Sequence, residues 1–353
     1  ECAVFGISNN QDASALTALG LHALQHRGQE GCGIVSFDGN QYHSEKRFGL
    51  VGDNFSKEKV IKTLPGKYAI GHNRYSTTGE TSLRNIQPFF ADLHMGGLSV
   101  AHNGNLTNAI ALRNTLVKEG ENFRTTSDTE TIVQLIAKST RNKIVDKIID
   151  TLFQISGGYS IVIMTNKKLI GARDPYGIRP LVIGKLKDSY IFASETCALD
   201  IVGASFIREV ENGEIVIVEN EKLTSIKPFP KQKQRPCVFE YIYFARPDSL
   251  LNGKSAYEYR KNLGIELAKE NKIDADIGDA FFKGDLLAEL DNREASANLM
   301  RAEAKYKLSK LGSSFASCIS PCNVNHIPII LSLIHISEPT RPRLISYAVF
   351  CLK

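Results

Sequence analysis

A cysteine at position 2 stands at the head of a short apolar stretch, residues 2–7, which shows the alternation typical of a β-strand. If Glu1 were removed, Cys2 would carry both a nucleophilic sulfur and a free α-amine. The reference pKa of an α-amine, roughly 7.7–8.0, suits a general base near neutral pH. One residue could then supply both nucleophile and base. Taken alone, the same cysteine also fits a small buried hydrophobic residue on a first strand.

Four polar blocks follow Cys2, and each contains residue types that can bind or polarise a polar substrate. They are residues 26–30, 71–79, 101–108 and 126–130. In isolation each block has an ordinary structural explanation. Arg74 fits a surface arginine, the Asn103-Gly104 pair fits a hairpin turn, and Asp128 fits a helix cap. Only their joint order and spacing favour a catalytic site over these explanations.

That order and spacing resemble the class II glutamine amidotransferase domain, an N-terminal-nucleophile hydrolase. Three later blocks, residues 173–180, 193–196 and 241–249, narrow the resemblance to the glutamine phosphoribosylpyrophosphate amidotransferase family of purine biosynthesis. The resemblance covers residues 2–277. It implies an α+β chain in which a four-layer αββα domain precedes the truncated start of an α/β phosphoribosyltransferase domain.

The resemblance also implies a role for each matching residue. Cys2 would attack the side-chain amide carbon of L-glutamine, form a glutamyl thioester and release ammonia. The side-chain amide of Asn103 and the backbone N–H of Gly104 would form the oxyanion hole. Arg74 would bind the substrate α-carboxylate, and Asp128 would bind its α-ammonium group.

Three neighbouring features complete the predicted site. Glu1 is interpreted as the last residue of a propeptide, because the nitrogen of Cys2 is an unreactive amide while Glu1 is attached. Residues 26–30 are predicted to support the pocket and are left out of the catalytic set. Residues 75–79 resemble the family's flexible loop over the glutamine site, with Gly79 as a hinge.

In the family, ammonia passes through an internal channel to phosphoribosylpyrophosphate and displaces pyrophosphate, which gives 5-phosphoribosylamine. The acceptor site uses Mg²⁺, and the parent protein is expected to be a homo-oligomer. Some members that carry a propeptide also hold a 4Fe–4S cluster. Cys237 matches one such ligand, although it fits a buried strand cysteine equally well.

The composition excludes several other classes. Of the 353 residues, 42% are hydrophobic and 23% are charged, which is typical of an ordinary folded protein. The net charge of +5 is spread along the chain, so no nucleic-acid partner is predicted. The sequence contains no run of 18 apolar residues, so no membrane span is predicted. The scattered cysteines favour a reducing, cytoplasmic location.

Periodicity predicts the elements that must position these residues. Helices are expected over residues 13–25, 128–137, 143–154 and 256–271, the second capped by Ser127. Strands are expected over residues 33–37, 67–71, 98–101, 159–165, 168–172, 181–185, 190–194, 214–219 and 239–244. Because strands and helices are segregated along much of the chain, a layered α+β domain is favoured over a Rossmann-like alternation.

The polar, proline-containing segment 227–236 predicts a domain boundary. We therefore expect a glutaminase domain over residues 2–230 and the start of a phosphoribosyltransferase domain over 231–277. Residues 278–312 resemble a helical piece of a periplasmic adaptor protein. Residues 313–353 are interpreted as an artefactual tail, because 331–341 resemble a translated sequencing adapter.

No paired-aspartate phosphate loop follows residue 277, so this chain is expected to retain only the glutaminase half of the reaction. Three alternatives remain open. The chain could be another class II amidotransferase, such as one coupled to sugar isomerisation or asparagine synthesis, although residues 173–180 and 241–249 argue against this. It could also be an inactive chimeric fragment, or a non-catalytic adaptor in which residues 278–311 are the informative part.

Overall fold

Two antiparallel β-sheets pack face to face in the computed structural model, which describes residues 2–75 and 82–270. The strands, in chain order, are β1 (Ala3–Ile7), β2 (Gly31–Phe37), β3 (Tyr42–Phe48), β4 (Tyr68–Arg74), β5 (Phe89–Leu93), β6 (Gly96–Leu106), β7 (Gly157–Thr165), β8 (Lys168–Arg173), β9 (Val182–Leu186), β10 (Ser189–Ala193), β11 (Ser205–Glu209), β12 (Ile215–Glu219), β13 (Lys222–Ile226), β14 (Leu250–Leu251) and β15 (Lys254–Ser255). The first sheet has the order β11-β9-β10-β1-β4-β2-β3, and the second has the order β13-β12-β8-β7-β6-β5. Strands β14 and β15 form a separate hairpin.

Helices cover the outer face of each sheet. The α-helices are α1 (Ala13–Ala23), α2 (Val51–Phe55), α3 (Glu58–Ile61), α4 (Ala109–Lys118), α5 (Asp128–Lys138), α6 (Ile144–Gln154), α7 (Cys197–Ile201) and α8 (Ala256–Glu270). Short 3₁₀ turns span Gln25–Arg27 and Leu83–Asn85. Helices α1, α2 and α7 share one apolar core with the first sheet, and α4, α5 and α6 share another with the second sheet. The predicted four-layer αββα arrangement is therefore confirmed.

A third apolar core lies between the two sheets and brings β1 close to β7. Phe5 and Ile7 of β1 point towards the helices, whereas Val4 points towards the second sheet. At Gly6, which shares the inward face with Val4, a Cβ atom would lie 2.7 Å from Cγ1 of Val162. Only glycine fits there, so this residue permits the close approach of the sheets beside the first strand.

The predicted helix at residue 128 is present. Asp128 begins α5, and the hydroxyl of Ser127 accepts a hydrogen bond from the backbone N–H of Thr129 at 3.3 Å. Helix α5 also buries one apolar face, which includes Ile132, Leu135 and Ile136. The cap and this apolar face both depend on nearby residues, which explains why the sequence predicts the helix correctly.

The predicted strand over residues 239–244 is wrong, since Glu240–Phe244 form a turn of π-helix. Glu240 is buried, and its carboxylate pairs with Arg27, which is 213 positions away. This contact turns Glu240 inwards while Phe239 and Tyr243 remain exposed. A tertiary ion pair thus overrides the local strand-like pattern.

The chain divides into two compact units, Glu1–Tyr259 and Arg260–Lys353. The first unit includes residues 231–259 together with the two sheets. Of the second, only residues 260–270 are described, and they continue α8. The segments predicted over 278–312 and 313–353 lie outside the described residues, and the boundary predicted near residue 230 stays a prediction. None of the helices in the described ranges has the length and apolar composition that a membrane crossing requires.

Candidate functional site

Cys2 lies immediately before β1, on the side of the first sheet that faces the second sheet. The alternation along a strand carries Cys2 to the same face as Val4, which belongs to the core between the sheets. The Cys2 thiol donates a hydrogen bond to the carbonyl oxygen of Tyr75, with 3.5 Å between Sγ and O. The predicted nucleophile is thereby held against the end of β4.

Arg74, the last residue of β4, reaches this face by the same alternation, since Ile70 and His72 precede it at steps of two. The antiparallel pairing of β1 with β4 places Ala3 opposite Asn73, so Arg74 is the next residue towards Cys2. Arg74 is buried, and its Nη1 donates to the carbonyl oxygen of Asn85 at 2.8 Å. This contact holds the guanidinium group beside the predicted nucleophile.

Asn103 and Gly104 lie within β6 rather than in a hairpin turn, because β6 runs on to Leu106. Asn103 shares the face of Ala101, which packs in the core between the sheets. It is 1% exposed, and its Nδ2 has no hydrogen-bond partner among residues 2–75 and 82–270. Leaving a buried amide donor unpaired costs about 1–3 kcal/mol. Such a donor is therefore uncommon unless it binds a ligand.

Gly104 is required by the space around it. A Cβ atom at this position would lie 2.2 Å from the carbonyl oxygen of Gly158 and 2.7 Å from Nε2 of His102. No other residue fits without moving backbone.

Asp128 reaches the site from the start of α5. Its Oδ2 accepts a hydrogen bond from the backbone N–H of Leu106 at 2.9 Å, which ties the helix to the end of β6. Its Oδ1 lies 3.8 Å from Nδ1 of His102. The carboxylate is thus fixed at the point where β6 leaves the second sheet.

The electrostatic environment of Cys2 links these residues. Burial raises the pKa of the Cys2 thiol above its ordinary value, and the nearby charge of Asp128 adds to this effect, whereas Arg74 opposes it. The structure therefore brings Cys2, Arg74 and Asp128 within electrostatic range of one another. Because the thiol is kept protonated, it needs a base before it can act as a nucleophile.

Two buried histidines support the site, and neither was singled out in the sequence. Nε2 of His72 lies 3.2 Å from the carbonyl oxygen of His102, so it must be the protonated ring nitrogen. Nδ1 of His102 lies 3.0 Å from Oγ1 of Thr129. Burial lowers the pKa of His72 to about 3, and it lowers the pKa of His102 as well. The sequence signal for their burial is strand alternation. His72 shares a face of β4 with the buried Ile70, and His102 shares a face of β6 with the buried Val100.

The block at residues 26–30 contributes a buried cation. Nε of Arg27 donates to Oε1 of Glu195 at 2.6 Å, and its other nitrogens pair with Glu240. Glu195 also accepts from Oγ of Ser249 at 2.6 Å and from the backbone N–H of Arg246 at 2.9 Å. This cluster joins the blocks at 26–30, 193–196 and 241–249, which are far apart in the sequence.

Charge pairing decides the ionisation of Glu195. Burial opposes ionisation, but Arg27 and His26 together outweigh it, so the pKa of the Glu195 carboxyl lies below its ordinary value. Burial raises the pKa of Glu240 in spite of the same arginine. Arg27 thus forms a charged pair with Glu195.

Cys237 lies just before the π-helix and is half-buried as a free thiol. Its backbone N–H donates to the carbonyl oxygen of Ile178 at 3.2 Å. Within the described ranges, no group of three or more His, Cys, Asp or Glu side chains is arranged to hold a metal ion. The described residues therefore provide no co-ligands for a cluster at Cys237. Glu1 and the predicted loop residues 76–79 lie outside the described residues.

Comparison with known proteins agrees with this geometry. Residues 72–200 match the glutamine amidotransferase domain family. The chain is 55% identical over 282 residues to an amidophosphoribosyltransferase from Rhizobium etli, a match that covers 78% of this chain and 57% of the relative. An amidophosphoribosyltransferase from Bacillus subtilis is 45% identical over 278 residues, with 78% and 58% covered.

A solved structure of glutamine phosphoribosylpyrophosphate (PRPP) amidotransferase from B. subtilis, complexed with ADP and GMP, superposes with a TM-score of 0.74 at 44% identity. The match covers 78% of this chain and 60% of the solved one. The chain thus spans a little over half the length of these relatives. Together with the αββα fold and the placement of Cys2, these similarities show that the chain contains a glutamine amidotransferase domain of the kind found in amidophosphoribosyltransferases.

Proposed function

We propose that this domain hydrolyses L-glutamine through a thioester on Cys2. The observation that carries the proposal is the convergence of three elements on one thiol: Cys2 before β1, Arg74 at the end of β4 and Asp128 at the start of α5. A carboxylate and a guanidinium group near one nucleophile suit the two charged groups of a free amino acid.

The chemistry follows from these positions. The sulfur of Cys2 bonds to the side-chain amide carbon of glutamine, and the thiol proton leaves with the departing ammonia. Asn103 and Gly104 would donate hydrogen bonds to the oxyanion that develops in the tetrahedral intermediate. Water then cleaves the thioester, which releases glutamate and restores the thiol.

The proton transfer requires a base beside a thiol whose pKa is raised. We propose that the α-amine of Cys2 is this base, which requires cleavage of the bond between Glu1 and Cys2. The α-amine is favoured over the two histidines because burial lowers the pKa of both His72 and His102, which makes either ring a weak base near neutral pH.

For the whole protein, we propose that ammonia is transferred to phosphoribosylpyrophosphate with release of pyrophosphate, which gives 5-phosphoribosylamine in purine biosynthesis. The names of the relatives support this acceptor. Mg²⁺ at the acceptor site and a homo-oligomeric, cytoplasmic enzyme belong to the same proposal. A 4Fe–4S cluster that uses Cys237 would need ligands beyond the residues described here.

The test combines an activity assay with mass spectrometry. Purified protein is assayed for glutamate release from glutamine, and the N-terminal residue is identified on the same sample. We expect activity only where Cys2 is N-terminal, its loss in Cys2→Ala, and its retention in the matched cysteine variant Cys237→Ser. Hydrolysis by protein that keeps Glu1 would overturn the α-amine mechanism, and hydrolysis by Cys2→Ala would overturn the nucleophile.

The acceptor half is tested separately by adding phosphoribosylpyrophosphate and Mg²⁺ to this chain. We expect glutamine hydrolysis without pyrophosphate release, because no acceptor site is recognised in the sequence. Release of pyrophosphate in proportion to glutamine consumed would show that this chain carries the acceptor site after all.

A further inference from the structure

A cavity lined by three arginines lies outside the set of residues assigned to glutamine. Its volume is about 200 Å³. Arg84, Arg113 and Arg124 come from three different segments of the chain and meet here. We call this cavity the arginine pocket.

The charge of the arginine pocket is not balanced by any ion pair among residues 2–75 and 82–270. No carboxylate in the described part of the chain forms an ion pair with Arg84, Arg113 or Arg124. The carboxylate of Glu130 accepts hydrogen bonds from the backbone N–H groups of Arg124 and Thr125. Three guanidinium groups around one cavity repel one another unless an anion joins them.

Hydrogen bonds and a cation–π contact hold the walls of the arginine pocket in place. Nη2 of Arg113 donates to the carbonyl oxygen of Thr125 at 2.7 Å, and its guanidinium lies 4.1 Å from the ring centroid of Phe123. These contacts fix one arginine in place. Across the pocket, Nδ2 of Asn85 donates to Oγ1 of Thr126 at 2.8 Å, and the backbone N–H of Thr126 donates to Oδ1 of Asn85 at 3.0 Å.

The chemistry of the lining indicates the ligand class. Guanidinium groups match phosphoryl oxygens with paired N–H donors, and the hydroxyl of Ser82 lies at the same cavity. A single carboxylate would balance only one of the three charges, whereas phosphate or pyrophosphate carries two or more. We propose that the arginine pocket binds a small phosphorylated anion.

The pocket is connected to the predicted glutamine site through one residue. Asn85 bonds to Thr126 of the pocket, while its carbonyl oxygen accepts from Nη1 of Arg74 at 2.8 Å. An anion that shifts Asn85 would also shift Arg74, so we expect the KM for glutamine to change when the pocket is filled. This coupling rests on the proposed function, whereas binding of the anion does not.

The experiment measures binding of pyrophosphate and of inorganic phosphate to the purified chain by calorimetry. The variants are Arg84→Gln and Arg124→Gln, both on exposed side chains, and their combination. Arg141→Gln is the matched control, since Arg141 is an exposed arginine whose guanidinium lies 3.8 Å from Asp150, outside the pocket. We expect saturable binding of one anion, a loss of affinity of at least tenfold in the double variant, and no change in the control.

Further arms separate the alternatives. Cys2→Ala should bind the anion as the unaltered chain does, which keeps the result independent of glutamine hydrolysis. Absence of saturable binding up to millimolar anion, or equal affinity in the double variant, would overturn the proposal. Displacement of the anion by L-glutamate would also overturn it, because the pocket would then be part of the amino-acid site.

Discussion

Nε2 of His72 lies 3.2 Å from the carbonyl oxygen of His102, and this hydrogen bond joins β4 to β6 across the interface between the two sheets. Arg74 follows two residues after His72, and Asn103 follows directly after His102. One buried contact therefore sets the distance between the strand that carries the predicted carboxylate-binding residue and the strand that carries the predicted oxyanion donor. It requires a proton on Nε2 of His72, because a carbonyl oxygen only accepts.

Acid should destabilise the folded protein through the buried ring of His72. The pKa of His72 in the folded protein, about 3, is below its ordinary value of 6.5, because burial disfavours the charged ring. Between these pH values the unfolded chain binds a proton that the folded protein excludes. The free energy of unfolding should therefore fall as the pH drops from 6.5 towards 3, by at most about 1.4 kcal/mol per pH unit from this group.

Urea denaturation at several pH values measures this slope. His72→Gln removes the titrating group and should flatten the slope below pH 6.5, whereas His94→Gln, on an exposed residue, should leave it unchanged. Equal slopes in the unaltered chain and His72→Gln would show that His72 does not contribute to acid sensitivity.

Loss of the Asn103 amide should slow catalysis without weakening binding. Its Nδ2 is buried and unpaired among the described residues, as expected of a donor used only in the transition state. In Asn103→Ala we expect kcat for glutamine hydrolysis to fall by about 10²–10³ with little change in KM. Asn40→Ala, on an exposed turn, is the control. A rise in KM at constant kcat would instead make Asn103 a binding residue.

The charge of Asp128 should matter separately from its structural role. Asp128→Asn keeps an oxygen that can accept from the N–H of Leu106 but removes the negative charge proposed to bind the substrate ammonium group. A hydrogen bond to a charged group contributes about 1.5–3 kcal/mol, so KM for glutamine should rise roughly 10- to 150-fold. Steady-state kinetics measures this, with circular dichroism to check folding. An unchanged KM would remove Asp128 from the substrate site.

Removing one partner of the buried ion pair between Arg27 and Glu195 should strongly destabilise the folded protein. Glu195→Gln removes the negative charge that pairs with Nε of the buried Arg27, and breaking such a pair typically costs about 3–5 kcal/mol. The free energy of unfolding in urea should fall by this amount. In Glu58→Gln, which removes an exposed pair with Lys62, it should change by less than about 0.5 kcal/mol. Similar losses in both variants would contradict a special role for the buried pair.

Several features of this protein follow from local patterns in the sequence. Ser127 and the apolar stripe after it predict α5, because caps and helical periodicity depend on residues within a few positions of one another. The alternation of β1 gives the orientation of Cys2 for the same reason. The order of the five blocks indicates an αββα amidotransferase domain and predicts its site residues, which are Cys2, Arg74, Asn103, Gly104 and Asp128.

Other features were decided only when distant segments packed together. Arg27 meets Glu195 across 168 positions, and the pairing with Glu240 turns an expected strand into a π-helix. The arginine pocket assembles Arg84, Arg113 and Arg124 in the same way. Local patterns specify which face a side chain takes on its own element, whereas its partners across the molecule depend on strand register and layer packing. Ion pairs and cavities are properties of that packing, so only the tertiary structure could define them.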